Sequence, residues 1–317
     1  MAANWMRRTL VIAACASATL LAACGSSTTE SAISPTRFVT FGDGFTDMGQ
    51  TGSRYTVNGT GAVDIWANQV ASRYGRAITP QASGGVGYAQ GNARVTASTD
   101  AAGGTAPSIT QQITNFLAAS ALTSDDLVIV NGGISDLIAG MASVTAGTTT
   151  GDQFKANAAT AGTELGAQVQ RLVGAGAQHL LLVNSYNLSK TPWAASIGQT
   201  TLLNEATRAF NDALKIRVQS LGNNVLIVDA ESYFDSMTFS PGNYSFNNGN
   251  TAVCTSVDPG NGIGTGTGQI NSALCTTSTL VAGADSNRYL FADNVYPAPS
   301  AHRQFGDYAY DRLRNRW

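Results

Sequence analysis

Short runs of apolar residues alternate with longer segments of helical periodicity along most of this chain, and this alternation is the feature that most limits its fold. The apolar runs are residues 37–41 (RFVTF), 126–131 (DLVIVN), 179–184 (HLLLVN) and 224–229 (NVLIVD). Apolar residues recur at helical spacing in segments 64–74, 107–117, 158–174, 202–221 and 299–313. Strands without polar alternation are typical of a parallel sheet that helices cover on both faces. The pattern therefore predicts one α/β domain with a central parallel sheet.

The N-terminal residues have the pattern of an export signal. Arg7 and Arg8 precede an apolar stretch, residues 9–23, that is too short to span a bilayer as a helix. The stretch leads into LAAC, which is similar to a bacterial lipobox, so we expect Cys24 to carry a lipid. An ordinary signal peptide cleaved nearby is the alternative. Because Gly25 rather than Asp follows, we expect a lipid-anchored protein of the bacterial cell envelope, at the periplasmic face of the outer membrane.

These patterns divide the chain into a lipoprotein signal peptide (1–23), a flexible polar tether (24–36) and a single domain (37–317). The 18 Lys and Arg residues against 20 Asp and Glu residues give a net charge of −2. No Lys or Arg lies between Arg217 and Arg288, and nowhere do basic residues cluster enough to neutralise a run of phosphates. We therefore expect the protein to bind the membrane through the lipid on Cys24 and to have no nucleic acid partner.

Cys254 and Cys275 bracket a stretch rich in Gly, Thr and Asn that has few apolar residues to hold it in place. Outside the cytoplasm a disulfide between them is the natural interpretation, and closing a loop of about twenty residues stabilises a fold by roughly 3 kcal/mol in the chain-entropy model. Two free thiols are the alternative. A metal centre needs more ligands than two cysteines, and no histidine lies near them in sequence. We expect no metal and no other cofactor.

Polar and glycine-rich segments follow the predicted strands, where the carboxyl ends of a parallel sheet bind ligands. They read FGDGFTDMG at 41–49, NGGISDL at 131–137 and SYNL at 185–188, and FADNVYP at 291–297 lies near the C-terminus. Any one of them is explained by the turn that leads from a strand into a helix. Together with GYAQGNA at 87–93, their fixed order is more specific.

This order of segments resembles the GDSL, or SGNH, hydrolase family of esterases and lipases, from about residue 37 to 315. The family's blocks FGDSxSDxG, NYAxGGA, GxND and DxxHPT are similar to residues 41–49, 87–93, 133–136 and 293–298, respectively. The resemblance implies a flavodoxin-like three-layer α/β/α sandwich, for which we expect a five-stranded parallel sheet. It also implies that the blocks converge at one edge of that sheet.

The departures from the family pattern fall on the positions that carry the chemistry. Gly44 stands where the family has its nucleophilic Ser, and Tyr296 stands where it has the His that acts as general base. Asp293 retains the acid that orients this His. The resemblance places the oxyanion donors at Gly91 and at Ser135, where the family has Asn. For Gly91 the alignment with the family block is defined to within one residue.

These substitutions remove groups on which ester hydrolysis depends. A Ser hydroxyl attacks the ester carbonyl while His accepts its proton. Gly44 has no side chain, and a Tyr with an ordinary pKa of about 10 is a poor base at neutral pH. We therefore expect a catalytically crippled member that binds an acyl ester or an acetylated glycan without hydrolysing it. An active ester hydrolase that uses substitute residues is the first alternative, and a structural envelope lipoprotein is the second.

Thr46 and His302 are the candidates for substitute catalytic groups. Thr46 supplies a hydroxyl close to the nucleophile position in sequence, but a helix-capping role explains it more simply. His302 lies inside the predicted final helix, where a histidine that packs the helix against the sheet is the simpler interpretation.

Overall fold

The computed structural model describes residues 31–59 and 65–317. The predicted signal peptide, Cys24 and the first part of the tether lie outside these residues, as does the start of the helix predicted over 64–74. The strands of the described part are β1 (Arg37–Phe41), β2 (Asp126–Asn131), β3 (His179–Val183), β4 (Val225–Val228), β5 (Asn248–Ala252) and β6 (Tyr289–Phe291). Each of the predicted apolar runs forms a strand at, or within a residue of, its expected bounds.

The α-helices of the described part are α1 (Trp66–Arg73), α2 (Ile109–Ala119), α3 (Ile134–Thr145), α4 (Gly151–Gly174), α5 (Pro192–Ser196), α6 (Thr200–Val218), α7 (Ala230–Phe239) and α8 (Pro299–Arg314). All of the predicted helical segments are present. Helix α4 begins well before the predicted residue 158, because Thr150 caps it through a hydrogen bond from Gln153 N to its Oγ1 (3.2 Å). Helices α3, α5 and α7 were not predicted.

Strands β1 to β4 form one parallel sheet in the order β1-β2-β3-β4, which confirms the predicted central parallel sheet. The expectation of five strands is wrong for the described residues. At the free edge of β1, Thr40 N donates to Val86 O (3.2 Å) and Tyr88 N donates to Thr40 O (2.7 Å), so this segment occupies the place of a fifth strand without extending into one. A Cβ on Gly85 would lie 2.1 Å from Thr79 O, so a tight turn lies directly before this pairing.

Helices cover both faces of the sheet, as the lack of polar alternation in the strands predicts. On one face, the ring of Phe38 in β1 lies 5.8 Å from that of Tyr74, which follows α1, and α1 packs against α8. Phe41 belongs to the opposite face because side chains alternate along a strand, and its ring lies 5.6 Å from that of Phe116 in α2. Helix α2 contacts α4, which packs along α6. The result is the three-layer α/β/α arrangement.

A second, small sheet of β5 and β6 and a disulfide between Cys254 and Cys275 organise the segment that precedes α8. The disulfide confirms the predicted pairing over two free thiols. Both cysteines are buried in a small apolar cluster with Val57 and Ala298, separate from the main core. The disulfide therefore anchors a glycine-rich loop that has no large core of its own.

The described end of the predicted tether is bound to the domain. Ala32 N donates to Trp317 O (2.9 Å), Ser31 Oγ donates to the same carbonyl (2.8 Å), and Thr36 N donates to Asp125 O (3.0 Å). Any tether that is free of the domain therefore ends before Ser31. Among the helices within residues 31–59 and 65–317, none is long and apolar enough to cross a membrane.

Candidate active site

The carboxyl end of β1 leads into the loop 42–49, which a buried carboxylate holds in shape. Asp43 Oδ1 accepts hydrogen bonds from Phe45 N (3.1 Å) and from Asn131 Nδ2 at the end of β2 (2.7 Å). Burial raises the pKa of Asp43 to about 6, although these bonds and the backbone at the start of α3 favour its ionised form. Asp43 thus joins the ends of two strands and fixes the position of Gly44.

Two tyrosines fill the space beside Gly44. A Cβ atom on Gly44 would lie 2.8 Å from Oη and Cζ of Tyr296 and 3.0 Å from Cγ of Tyr55. The backbone of Gly44 is not left-handed. Position 44 therefore requires glycine because a Cβ has no room there, and not because the backbone conformation favours glycine. The two tyrosine rings contact each other with centroids 4.9 Å apart. A nucleophilic side chain at position 44 would therefore collide with the residue at the predicted base position.

Tyr296 is a neutral, space-filling group. Its side chain is fully buried, and its Oη has no hydrogen-bond partner among the described residues. Burial, together with the nearby Asp43 carboxyl, raises the pKa of Tyr296 well above its ordinary value. The phenol therefore keeps its proton at neutral pH and is not a general base.

Gly91, the predicted oxyanion donor, has a backbone N–H that is already engaged. It donates to Oδ2 of Asp47 (2.8 Å), whose Oδ1 accepts hydrogen bonds from Gly49 N (2.8 Å) and Gln50 N (2.9 Å). Burial raises the pKa of Asp47 to about 6. A Cβ on Gly91 would lie 2.0 to 2.3 Å from the ring of Tyr55, so this ring lies directly against the glycine.

Ser135, the second predicted oxyanion residue, lies in the first turn of α3 and is fully buried. The helix begins after Gly133, whose φ of 102° is a conformation that favours glycine. The Ser135 backbone N–H helps to stabilise the Asp43 carboxylate, which places the residue beside the loop that carries Gly44. Its Oγ has no hydrogen-bond partner among the described residues.

Asp293, the retained acid, shapes the loop that carries Tyr296. Its Oδ1 accepts hydrogen bonds from Val295 N (2.8 Å) and Tyr296 N (2.6 Å), and its Oδ2 accepts one from Ser272 N (2.9 Å). Burial raises the pKa of Asp293, while these hydrogen bonds oppose the shift. With no imidazole to orient, the carboxyl ties this loop to the segment that the disulfide closes.

Trp66, at the start of α1, binds both candidate substitute groups. Its Nε1 donates to Thr46 Oγ1 (3.1 Å), and its backbone N donates to His302 Nδ1 (3.4 Å). Both acceptor side chains are fully buried. The His302 ring lies 5.2 Å from that of Phe45, and burial lowers the pKa of His302 to about 3. These contacts favour structural roles for both residues, with Thr46 bonded to an indole instead of capping a helix.

Tyr55 is the residue at this site that sequence reasoning missed. It lies outside the segments that resemble the family blocks, yet its ring contacts both Gly44 and Gly91. The sequence signal for it is indirect. Small residues at two neighbouring positions of a site indicate that a large side chain occupies the space, but they do not say which one.

Another acid with a largely buried side chain near the site is Asp136 in α3. Its Oδ2 accepts a hydrogen bond from Val95 N (2.9 Å), and its Oδ1 pairs with Arg94 (3.3 Å). It therefore joins α3 to the segment that follows Gly91. Within residues 31–59 and 65–317, no group of three His, Cys, Asp or Glu side chains is placed to hold a metal ion.

The comparison with known proteins agrees with this geometry. The family described as GDSL-like Lipase/Acylhydrolase matches residues 38–309, a range that contains the sheet except for Arg37, its first residue, and every segment that converges around Gly44. No curated protein matches the chain significantly. Because the family match spans most of the chain and the strands, helices and block order fit it, this protein belongs to the GDSL-like lipase/acylhydrolase family and has the fold of an ester hydrolase.

Proposed function

We propose that this protein is a non-hydrolytic member of its family that binds a ligand at the cell envelope. The observation that carries the proposal is the contact between Gly44 and Tyr296, in which a Cβ at position 44 would lie 2.8 Å from the phenol oxygen. An attacking oxygen and an imidazole are both missing from the positions where the family has them. Loss of the nucleophile alone costs on the order of 10⁶ in turnover in a serine hydrolase.

The groups that would stabilise a transition state are also engaged or covered. Oxyanion donors have to point at the place where negative charge develops. Here the N–H of Gly91 donates to Asp47, and the ring of Tyr55 lies against Gly91. Ser135 offers a hydroxyl on a side chain shorter than that of Asn. An ester carbonyl could reach this centre only after both tyrosines had moved.

An acyl ester or an acetylated glycan is the ligand class that family membership favours. The small net charge of −2 supports an uncharged ligand over nucleic acid. In this proposal, a lipid on Cys24 holds the domain at the periplasmic face of the outer membrane. The protein would then retain its ligand at the envelope without turning it over.

Labelling with a fluorophosphonate probe and hydrolysis of short p-nitrophenyl esters test the loss of catalysis. We expect neither labelling nor turnover above background, because position 44 has no oxygen for the probe to modify. A turnover of about 1–10³ s⁻¹, which is typical of enzymes, would contradict the proposal. Thr46→Ala and His302→Asn would then show which substitute group is used.

Restoring the family residues gives a sharper test. Gly44→Ser alone puts a Cβ against Tyr296 and leaves the new hydroxyl without a base, so we expect a destabilised, inactive protein. Tyr296→His alone lacks a nucleophile. The variant with both changes removes the collision with the phenol and places an imidazole near Asp293, so its activity should exceed the sum of the single variants. If the double variant were no more active than the singles, Tyr55→Ala would be added to uncover Gly91, and a triple variant that is still inactive would show that this edge is not a former reaction centre.

A further inference from the structure

A groove of about 280 Å³ lies beside the loop 42–49 and is lined by side-chain amides. Its polar lining residues are Gln50, Gln81, Tyr88, Gln90, Gln112 and Asn115, and we call it the amide groove. No charged side chain is among the described residues that line it. Its volume is close to the lower limit of roughly 300 Å³ for ligand pockets, which suits a small ligand or a few units of a chain.

Two of the glutamines form a rigid floor because both ends of each amide are bound. Gln112 Nε2 donates to Gly42 O (2.9 Å) and its Oε1 accepts a hydrogen bond from Gly42 N (2.9 Å). Gln50 Nε2 donates to Gly87 O, and its Oε1 accepts one from Ala82 N (3.0 Å). These bonds fix the shape of the groove before any ligand enters it, which reduces the entropy lost on binding.

The rim of the amide groove presents hydrogen-bonding groups that the described part of the chain leaves unused. The side-chain amides of Gln81 and Gln90 and the hydroxyl of Tyr88 make no hydrogen bond to other described residues. Asn115 accepts one from Gln111 Nε2 (2.7 Å) at its Oδ1, and its Nδ2 donates none to the other described residues. An amide offers an acceptor and two donors on one planar group. A ligand hydroxyl, which both donates and accepts, is therefore complementary to this rim.

Tyr88 adds a partly exposed aromatic surface. Its ring packs against those of Phe41 and Phe116, each 5.8 Å away between centroids. This packing holds the ring in place, while the exposed part offers an apolar surface next to a polar hydroxyl. A pyranose ring has the matching character, since it carries apolar C–H groups and a rim of hydroxyls.

We propose that the amide groove binds a neutral oligosaccharide. This inference assigns a ligand class to the proposed function and rests on it. The groove adjoins the former reaction centre: Gln90 N donates to Gly42 O (3.1 Å), and Asp47 accepts hydrogen bonds from Gln50 N and Gly91 N. A glycan held here would lie along the loop that carries position 44. The absence of charge on the lining disfavours anionic sugars, which would lose hydration without gaining a cation.

Isothermal titration calorimetry on the purified full chain tests the inference. The probes are chitotetraose and cellotetraose as neutral ligands and tetragalacturonate as the anionic one. We expect saturable binding of at least one neutral tetrasaccharide and much weaker binding of the anionic one.

Gln90→Ala/Asn115→Ala removes two rim amides and should weaken binding at least tenfold. Gln178→Ala, an exposed amide outside the groove, should leave the affinity unchanged, and thermal melts confirm that each variant is folded.

Three results would overturn the inference. The first is the absence of saturable binding for both neutral tetrasaccharides. The second is an affinity that the rim double variant leaves unchanged, and the third is an equal affinity for the anionic probe. None of these results bears on catalysis, which the phosphonate and ester assays measure separately. If the protein is inactive and does not bind sugar, the proposed loss of hydrolysis stands and only the ligand class is wrong. If the protein is active and binds sugar, the ligand class stands and the proposed loss of hydrolysis is wrong.

Discussion

Gly44 and Tyr296 are complementary substitutions whose effects on packing are best considered together. A core tolerates exchanges that keep the total side-chain volume and loses stability when volume is added or removed. Here the loss of a side chain at position 44 is offset by a ring that reaches to within 2.8 Å of the missing Cβ. Tyr55 supplies the remaining volume against Gly91. The two tyrosine rings therefore fill the space that a nucleophilic side chain would occupy.

His302 gives a prediction about pH. The folded protein keeps its imidazole neutral, with a pKa lowered to about 3, whereas the unfolded chain protonates it near pH 6.5. As the pH falls below 6.5, the unfolded state therefore takes up a proton that the folded state does not, and stability declines. His302→Asn keeps an acceptor for Trp66 N and removes the titration. We expect wild type to lose up to about 1.4 kcal/mol per pH unit relative to this variant between pH 6.5 and 4.5.

Urea denaturation of wild type and His302→Asn at pH 7.5, 6.5, 5.5 and 4.5 measures this difference. Burial raises the pKa values of Asp43 and Asp47 to about 6, and the comparison cancels their contributions because both acids are present in both proteins. Those acids have the opposite sign, because the folded state binds their protons more tightly, so their contribution to stability falls as the pH rises through 6. A constant gap between the two proteins at all four pH values would contradict the buried, neutral state of His302.

At this scale, much of the site could be predicted from the sequence. Gly44 and Ser135 follow β1 and β2 at the carboxyl edge of one sheet, and the resemblance to the family implied that Tyr296 meets them there. The ring of Tyr55 could not be placed, since it reaches the centre from a loop whose path no periodicity describes. Whether an N–H such as that of Gly91 is free or bound to Asp47 is equally a matter of three-dimensional geometry.

Helices α4 and α6 approach each other closely. A Cβ on Gly162 would lie 2.2 Å from Phe210 O, and one on Gly166 would lie 2.6 Å from Cβ of Arg217. These glycines are a turn apart on one side of α4, so they allow the two helix backbones to approach. The cost of placing glycine in a helix interior, about 1 kcal/mol relative to Ala, is therefore offset by packing between helices.

Gly162→Ala tests this contact. In an isolated helix the change would stabilise the helical state, but here the added methyl group meets a backbone carbonyl, and overpacking costs roughly 1–3 kcal/mol. We expect a lower midpoint in urea denaturation. Gly174→Ala is the matched control on the same helix, because nothing lies within 4 Å of its Cβ position. If Gly162→Ala were as stable as the control variant, the helices would be farther apart than described.

The sequence predicted strands better than it predicted helices or the sheet edge. The strands β2 and β3 are completely apolar at their centres, and the burial that follows from this is independent of the rest of the fold. Helix α3 was missed because its first residues were interpreted as part of a loop block, and Gly133 that precedes it is typical of a turn. The fifth strand was expected from the family fold, whereas the segment after the tight turn at Gly85 makes only a few hydrogen bonds to Thr40 and Gly42.

For the whole molecule, the N-terminal attachment and the site lie at opposite edges of the sheet. Thr36 N donates to Asp125 O just before β1 and β2 begin, whereas the loop 42–49 follows the end of β1. Ser31 and Ala32 are bound at the C-terminal Trp317, so the chain leaves the domain at a fixed point on the amino edge. A membrane anchor upstream of Ser31 would therefore be attached at the amino edge, opposite the edge that carries the loop 42–49.

Cys24→Ser tests this anchor. The lipobox pattern makes the lipid on Cys24 the expected attachment, and no helix in the described part of the chain is long and apolar enough to cross a membrane. We expect the variant to move from the membrane fraction to the soluble fraction after a carbonate wash, because burial of acyl chains would be the attachment that holds the protein. Cys15→Ser, within the apolar stretch of the signal, is the matched control and should stay with the membranes. A Cys24→Ser protein that still sediments with membranes would show that the protein is anchored by other means.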